Sequence, residues 1–272
     1  TDGLPGVTAS GPAFKAQLDK VSNKTISNVI VTDETWTARN SEYERIGNWR
    51  SGRYGGEIIN GNLETRNLFL ESPDELVWNK VSLVDIPVHE VTPQMTEPNR
   101  IKDTISPISA VRLSENTYLI DMGTTISGWF EITFPELEKN QEIIMEFSDH
   151  LTNDGEIYWQ GQIDKYIASG SGTEHFINKF NYHGFRYVKI TNLNQEPKLS
   201  DIKANFIHTD FESTSSFISS DEDLNQIHDM ISYTLRNVGL GGYLVDCPQI
   251  ERLGYGGDGN ASTIIAQTMF NL

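Results

Sequence analysis

Apolar and polar positions alternate along Thr117-Tyr118-Leu119-Ile120-Asp121, Gly128 to Phe134 and Glu142 to Phe147, the period-two mark of half-buried strands. A further alternating run, Phe180 to Ile190, sets large aromatics on one face. His183 within it reads as a structural core residue rather than a catalytic base. Upstream, from about Ser27 to Ile86, shorter runs (Val29-Ile30-Val31, Ile58-Ile59, Leu83-Val84-Asp85-Ile86) are broken by Gly and Asn, which predicts another antiparallel β domain. Trp36, Trp49 and Trp78, with Arg53-Tyr54-Gly55-Gly56-Glu57, read as the core of that domain; an aromatic carbohydrate platform is the other reading. Residues 87–107 carry Pro87, Pro93, Pro98 and Pro107 in a polar context, which predicts an extended linker and a domain boundary. Asn153-Asp154-Gly155 predicts a tight turn; the alternating aspartates of a Ca²⁺ loop are missing around it.

The period changes at Ser220. Ser220 with Asp223 resembles a capping box, and Leu224, Ile227, Ile231, Leu235 and Val238 recur at helical spacing. The spacing predicts a helix of roughly eighteen residues that ends at Gly239-Leu240-Gly241-Gly242, three glycines being available for left-handed positions. A second helix is predicted over Asn260 to Leu272, with Ile264, Ile265 and Met269 apolar. The chain therefore reads as mainly β, followed by helix, shaped loop and helix. Period alone fits a small helical bundle as well as the start of a larger helical barrel.

Composition narrows the function classes. With 272 residues, room exists for roughly two domains, and no apolar run approaches the 18 or so residues that span a bilayer. A net charge of −17 would repel a phosphate backbone, which argues against nucleic acid as partner; the same charge also serves simple solubility. Cys247 is the single cysteine, so no internal disulfide is expected, and with the nearest histidine at His228 it reads as a packing residue rather than a nucleophile. Thr1-Asp2-Gly3 carries neither a basic nor an apolar leader pattern, and the chain is expected to be a piece of a larger enzyme.

The candidate chemistry lies in Asp246-Cys247-Pro248-Gln249-Ile250-Glu251-Arg252-Leu253-Gly254-Tyr255-Gly256-Gly257-Asp258. Three carboxylates, an arginine and an aromatic ring share one segment, and Pro248, Gly254, Gly256 and Gly257 are expected to shape it into a loop. Glycoside hydrolysis needs two carboxyl groups, an acid for the departing oxygen and a second group serving as base or nucleophile. No zinc-type His/Cys spacing, phosphate-binding glycine loop or Gly-x-Ser-x-Gly elbow competes with that chemistry.

This segment resembles the signature of glycoside hydrolase family 78, the inverting α-L-rhamnosidases. Gly55-Gly56-Glu57, Asp121-Met122-Gly123, Gly128-Trp129 and Tyr182-His183-Gly184-Phe185-Arg186-Tyr187 extend the resemblance over roughly residues 35 to 272. It implies an accessory β-sandwich over 1–95, a second antiparallel β-sandwich-type domain over 96–212, and the first helices of an (α/α)6 barrel over 213–272. It further implies Glu251 as general acid, with Asp246, Arg252, Tyr255 and Asp258 binding the sugar. Asp246 and Asp258 would help the acid keep its proton; Arg252 would either pair with Glu251 or orient one of the aspartates. Tyr255 stands where the family usually has Trp, and Ile250 stands alone where it commonly has Arg-Asp. The general base is expected beyond Leu272. Terminal α-L-rhamnose of rhamnosides or plant polysaccharides is the implied substrate, with no cofactor, metal, nucleic acid or membrane partner, and a periplasmic or extracellular location. The rival reading is a carbohydrate-binding or structural β protein in which the acidic motif is vestigial.

Overall fold

The computed structural model describes residues 13–47, 55–63, 78–84 and 92–271. Trp49, Arg53, Tyr54, Asp85, Ile86 and Pro87, singled out above, lie outside the described residues. The chain divides into two compact units, 1–41 with 65–93, and 42–64 with 94–272.

In the first unit, β1 (Gln17–Ser22) and β2 (Thr25–Val31) form an antiparallel hairpin, and β3 (Thr37–Ala38) pairs with β6 (Asn79–Lys80). Trp36 and Trp78 do not act as core residues: each keeps more than a third of its surface exposed, and the Arg39 guanidinium lies 5.8 Å from the Trp78 ring.

The second unit is built on one ten-stranded sheet. Its strands are β4 (Tyr43–Ile46), β5 (Gly56–Asn60), β7 (Asn99–Ile105), β8 (Ser109–Ser114), β9 (Thr117–Thr133), β10 (Glu142–Ser148), β11 (Ile163–Ile167), β12 (His175–Ile177), β13 (His183–Thr191) and β14 (Ile202–Thr209). The order is β4-β5-β11-β10-β13-β9-β14-β7, with β8 and β12 also paired to β9. Every pair is antiparallel except β5 with β11, where Lys165, Tyr166 and Ile167 run parallel beside Ile58, Ile59 and Asn60. β4 and β5 thus join a sheet whose other strands all lie beyond residue 98.

Alternation decides which faces pack. β10 buries Ile143, Met145 and Phe147, and β11 buries Asp164 and Tyr166. Phe130, Phe147 and Phe185 meet edge to face, with centroids 5.2–6.3 Å apart, the geometry the ring quadrupole favours.

Three expectations change. The two runs around 117–134 are a single strand, β9, which bends at Gly123 (φ +78°) without ending. Asp121 stabilises the bend by accepting from the Gly123 amide at 2.7 Å and from Arg186 at 2.8 and 2.9 Å. The proline-bearing segment 87–107 is not all linker: it contains β7, which looks polar because it is an edge strand paired only with β14 and exposed along most of its length. The run starting at Phe180 becomes a strand only at His183. Asn153-Asp154-Gly155 does form a turn, with the Gly155 amide on Thr152 O at 2.9 Å and φ +82°.

Helix α1 (Glu222–Val238) follows the predicted apolar spacing. Its N-cap is Asp221 rather than Ser220, the Asp221 carboxylate accepting from the Asp223 amide at 3.0 Å. The helix is tied to β9 by Ser127 N–H donating to Asn237 Oδ1 (2.7 Å) and Tyr233 Oη donating to Thr125 O (2.9 Å). After it comes a hairpin, β15 (Gly239–Leu240) and β16 (Tyr243–Leu244). Only Gly241 and Gly242 adopt positive φ, and they make the two-residue turn rather than a helix cap. The Gly241 and Gly242 amides donate to Asn99 Oδ1 and Thr209 Oγ1, which fastens the turn to β7 and β14. Helix α2 (Gly256–Met269) starts four residues earlier than predicted and packs Ala266 and Met269 with Phe211, Leu235 and Phe270.

Candidate active site

The motif divides between a loop, residues 245–255, and the first turn of α2. The loop is closed on itself. Asp246 N–H donates to Leu253 O and Leu253 N–H to Asp246 Oδ1, both at 2.9 Å, while Ile250 and Arg252 amides donate to Cys247 O at 3.3 and 3.2 Å. The shaping residue is not one of the expected glycines but Arg252, at φ +57°. A left-handed conformation in a residue with a side chain costs on the order of 1 kcal/mol or more, so other contacts must maintain it.

On one side the loop gathers Asp246, Cys247 and Glu251, whose polar atoms lie within 4.8 Å of one another. The Cys247 thiol donates to Asp246 Oδ2 at 3.2 Å, and the Glu251 amide donates to Cys247 Sγ at 3.4 Å. The thiol is thus part of the loop's own hydrogen bonding, and burial first of all pushes its pKa up. Tyr255 Oη donates to Glu251 Oε2 at 2.9 Å, a contact the sequence reading did not anticipate. No helical spacing signals it, because residues 251–254 are non-helical and Tyr255 only caps α2. That bond to Glu251 is the main reason the Tyr255 phenol is held above its ordinary pKa. Burial pushes the Asp246 carboxyl upward, but hydrogen bonds from the Leu253 amide and from the Cys247 thiol and amide hold it below the usual value.

Asp258 stands apart from this cluster, exposed in the first turn of α2. Tyr255 lines an open groove of about 600 Å³ with Tyr243, Leu244, Gly254, Thr263 and Gln267. Asp246, Cys247 and Glu251 also offer one ligand atom each within metal-binding reach of one another.

Arg252, expected beside the carboxylates, instead points into the β sheet and is 5% exposed. Its Nε donates to Pro248 O at 2.7 Å, its Nη1 to Asn181 Oδ1 at 2.6 Å, and the guanidinium lies 4.3 Å from the Tyr182 ring centroid. Asn181 belongs to a turn whose backbone amides converge on Glu57: Lys179 at 3.0 Å, Phe180 at 2.6 Å, and Asn181 itself. Glu57 is 1% exposed, and burial drives its pKa up even though these amides favour the charged form. Its own amide donates to Asp164 Oδ1 at 2.8 Å; Asp164 Oδ2 takes Asn178 Nδ2 at 2.7 Å and pairs with His183 Nε2 at 2.8 Å. His183 is fully buried and stacked on Phe147 at 4.1 Å, which is a structural role. Gly184 follows it, and a Cβ there would meet Gln249 N at 2.9 Å and Pro248 C at 3.1 Å, so the loop rests directly on β13.

The sheet thus seats a carboxylate-bearing loop that lies in the chain between α1 and α2. Three family models match in succession: the α-L-rhamnosidase N-terminal domain over residues 6–103, the bacterial α-L-rhamnosidase concanavalin-like domain over 111–208, and the bacterial α-L-rhamnosidase 6 hairpin glycosidase domain over 212–272. The chain belongs to the bacterial α-L-rhamnosidases of glycoside hydrolase family 78. An α-L-rhamnosidase of Alteromonas sp. (strain LOR) is 27% identical over 95% of this chain and 28% of its own length. Among solved structures, α-L-rhamnosidase from Dictyoglumus thermophilum superposes with TM-score 0.81 at 31% identity, over 92% of this chain and 28% of that one. The Streptomyces avermitilis α-L-rhamnosidase complexed with L-rhamnose shares the fold, with TM-score 0.80 at 24% identity, over 94% of this chain and 25% of that one. The chain spans about a quarter of the length of the curated relatives it matches.

Proposed function

We propose that the protein is an inverting α-L-rhamnosidase and that Glu251 is its general acid. Glu251 gives its proton to the glycosidic oxygen as the bond from that oxygen to the anomeric carbon breaks. A water molecule attacks the same carbon from the opposite face and loses its proton to a second carboxylate. The second carboxylate belongs, in this reading, to sequence other than these 272 residues, as does most of an (α/α)6 barrel begun by α1 and α2. The share of the relatives' length that the chain spans supports that division. Residues 1–95, 96–212 and 213–272 are then accessory β-sandwich, second β domain and barrel start, with β4 and β5 completing the second domain's sheet. Asp246, Tyr255 and Asp258 are assigned to the sugar.

The observation that carries the reading is the grouping of Glu251 with Asp246 and the Tyr255 hydroxyl on a loop anchored in the sheet. In the full-length gene product, Glu251→Gln is expected to lower kcat on an aryl α-L-rhamnoside by about 100-fold or more; a near-normal rate removes Glu251 from the acid role. Aryl glucosides and arabinosides, tested beside the rhamnoside, check the sugar. The 272-residue chain alone is expected to show no turnover. A second reading, glycan binding without hydrolysis, is favoured by the half-exposed Trp36 and Trp78; binding that survives deletion of residues 213–272 would support it.

A further inference from the structure

We propose that Arg252 and Asn181 are positioning residues, a brace that runs from the β sheet into the acid loop and sets the direction in which Glu251 points. The catalytic part of this inference rests on the acid role proposed for Glu251. The brace is continuous and buried. Asp164, 0% exposed, accepts from the Glu57 amide; Glu57 gathers the amides of the 179–181 turn; Asn181, 3% exposed, accepts from Arg252. Arg252 then returns to its own loop through Pro248 O. Asn181 is secured a second time by Nδ2 donating to Gly55 O at 3.3 Å.

The geometry explains why an arginine occupies this place. Arg252 is in the left-handed region, where the chain reverses, so its side chain enters the sheet while Glu251, one residue earlier, faces Asp246 and Tyr255. A planar guanidinium can hold Pro248 O and Asn181 Oδ1 at once while stacking on Tyr182, which a lysine ammonium cannot reproduce. A group buried to this degree does not meet a sugar. It keeps the preceding carboxyl within the fraction of an ångström that general-acid geometry tolerates.

Cys247 is a built-in reporter, being the single cysteine of the chain and bonded inside the loop. In the 272-residue protein, Asn181→Leu removes the acceptor at nearly constant volume and is expected to speed Cys247 labelling by a neutral thiol reagent about tenfold or more. Arg252→Lys keeps the charge but cannot hold both acceptors, and is expected to label about as fast as Asn181→Leu. Ile143→Val, in the sheet core away from the loop, controls for general loosening. The brace is overturned if Asn181→Leu labels no faster than wild type, if Arg252→Lys labels at the wild-type rate, or if Ile143→Val labels as fast as Asn181→Leu.

In the full-length gene product, Asn181→Leu is expected to lower kcat on an aryl α-L-rhamnoside about tenfold with KM within about twofold, and Arg252→Lys to do the same. A rise in KM with kcat unchanged would mean a contact with the sugar and would overturn the positioning role. Failure of the acid reading shows separately: Glu251→Gln would then retain activity, while the labelling series still decides whether the brace exists.

Discussion

At Gly184 a hydrogen atom is all that separates β13 from the motif loop. A methyl group there would press on backbone atoms of Pro248 and Gln249, which cannot swing aside as a side-chain end can. Gly184→Ala is expected to cost about 1–3 kcal/mol of stability, read from denaturant midpoints. At Cys247 burial raises the thiol pKa, so the thiolate fraction near pH 8 falls below that of an unfolded chain. Native labelling is therefore expected to be slower than in denaturant and to rise only above the ordinary thiol pKa of about 8.5; equal rates in both states would contradict it. These two residues also show what the motif could and could not disclose. Glu251, Asp246 and Tyr255 were readable as a group because one short segment holds them. Asn181 and Glu57 were not, because their connection to Arg252 depends on strand pairing across distances of 71 to 124 residues in sequence.

Among elements, α1 was the most legible, since its apolar spacing is strong, and only the cap differed. Ser220 and Asp221 are both capable N-caps, and the choice falls to the one whose carboxylate reaches the Asp223 amide. Asp221→Ala is expected to cost about 1 kcal/mol, measurable as a lowered thermal midpoint, whereas Ser220→Ala should be close to silent. β10 and β11 were visible or hidden for opposite reasons. β10 alternates apolar and polar residues, while β11 turns Asp164 inward beside Tyr166 and so breaks the binary pattern. β7 carries no apolar signal because an edge strand does not need an apolar face, and β9 reads as two strands because residues 122–125, around the bend at Gly123, separate its paired stretches 117–121 and 126–133.

For the molecule as a whole, the buried and paired carboxylates set opposing responses to acid. The Arg186 guanidinium holds Asp121 below its ordinary 3.8, and the loop hydrogen bonds outweigh burial to do the same for Asp246. Both contribute stability above about pH 3.8 that is lost as pH falls through their lower folded values. Glu57 acts the other way. Burial raises it above 4.5, so its contribution is fullest in acid and declines as pH rises from there through its folded value. Asp121→Asn is expected to flatten the fall of the unfolding midpoint between about pH 4.5 and 3; an unchanged slope would exclude the Asp121–Arg186 pair as its source.

The parallel pairing of β5 with β11 has a consequence in time rather than in energy. Two parallel neighbours cannot be closed by a hairpin, and Glu57 meets Asp164 only 107 positions further along the chain. During synthesis β5 leaves the ribosome long before its partner exists, and such non-local closures are slow to form. Glu57 must then wait for the 179–181 turn, and that turn for Arg252. The loop that carries Glu251 is therefore expected to settle late, on a surface assembled in sequence from strand, turn and motif, so its geometry waits on the claiming of a strand made roughly two hundred residues earlier.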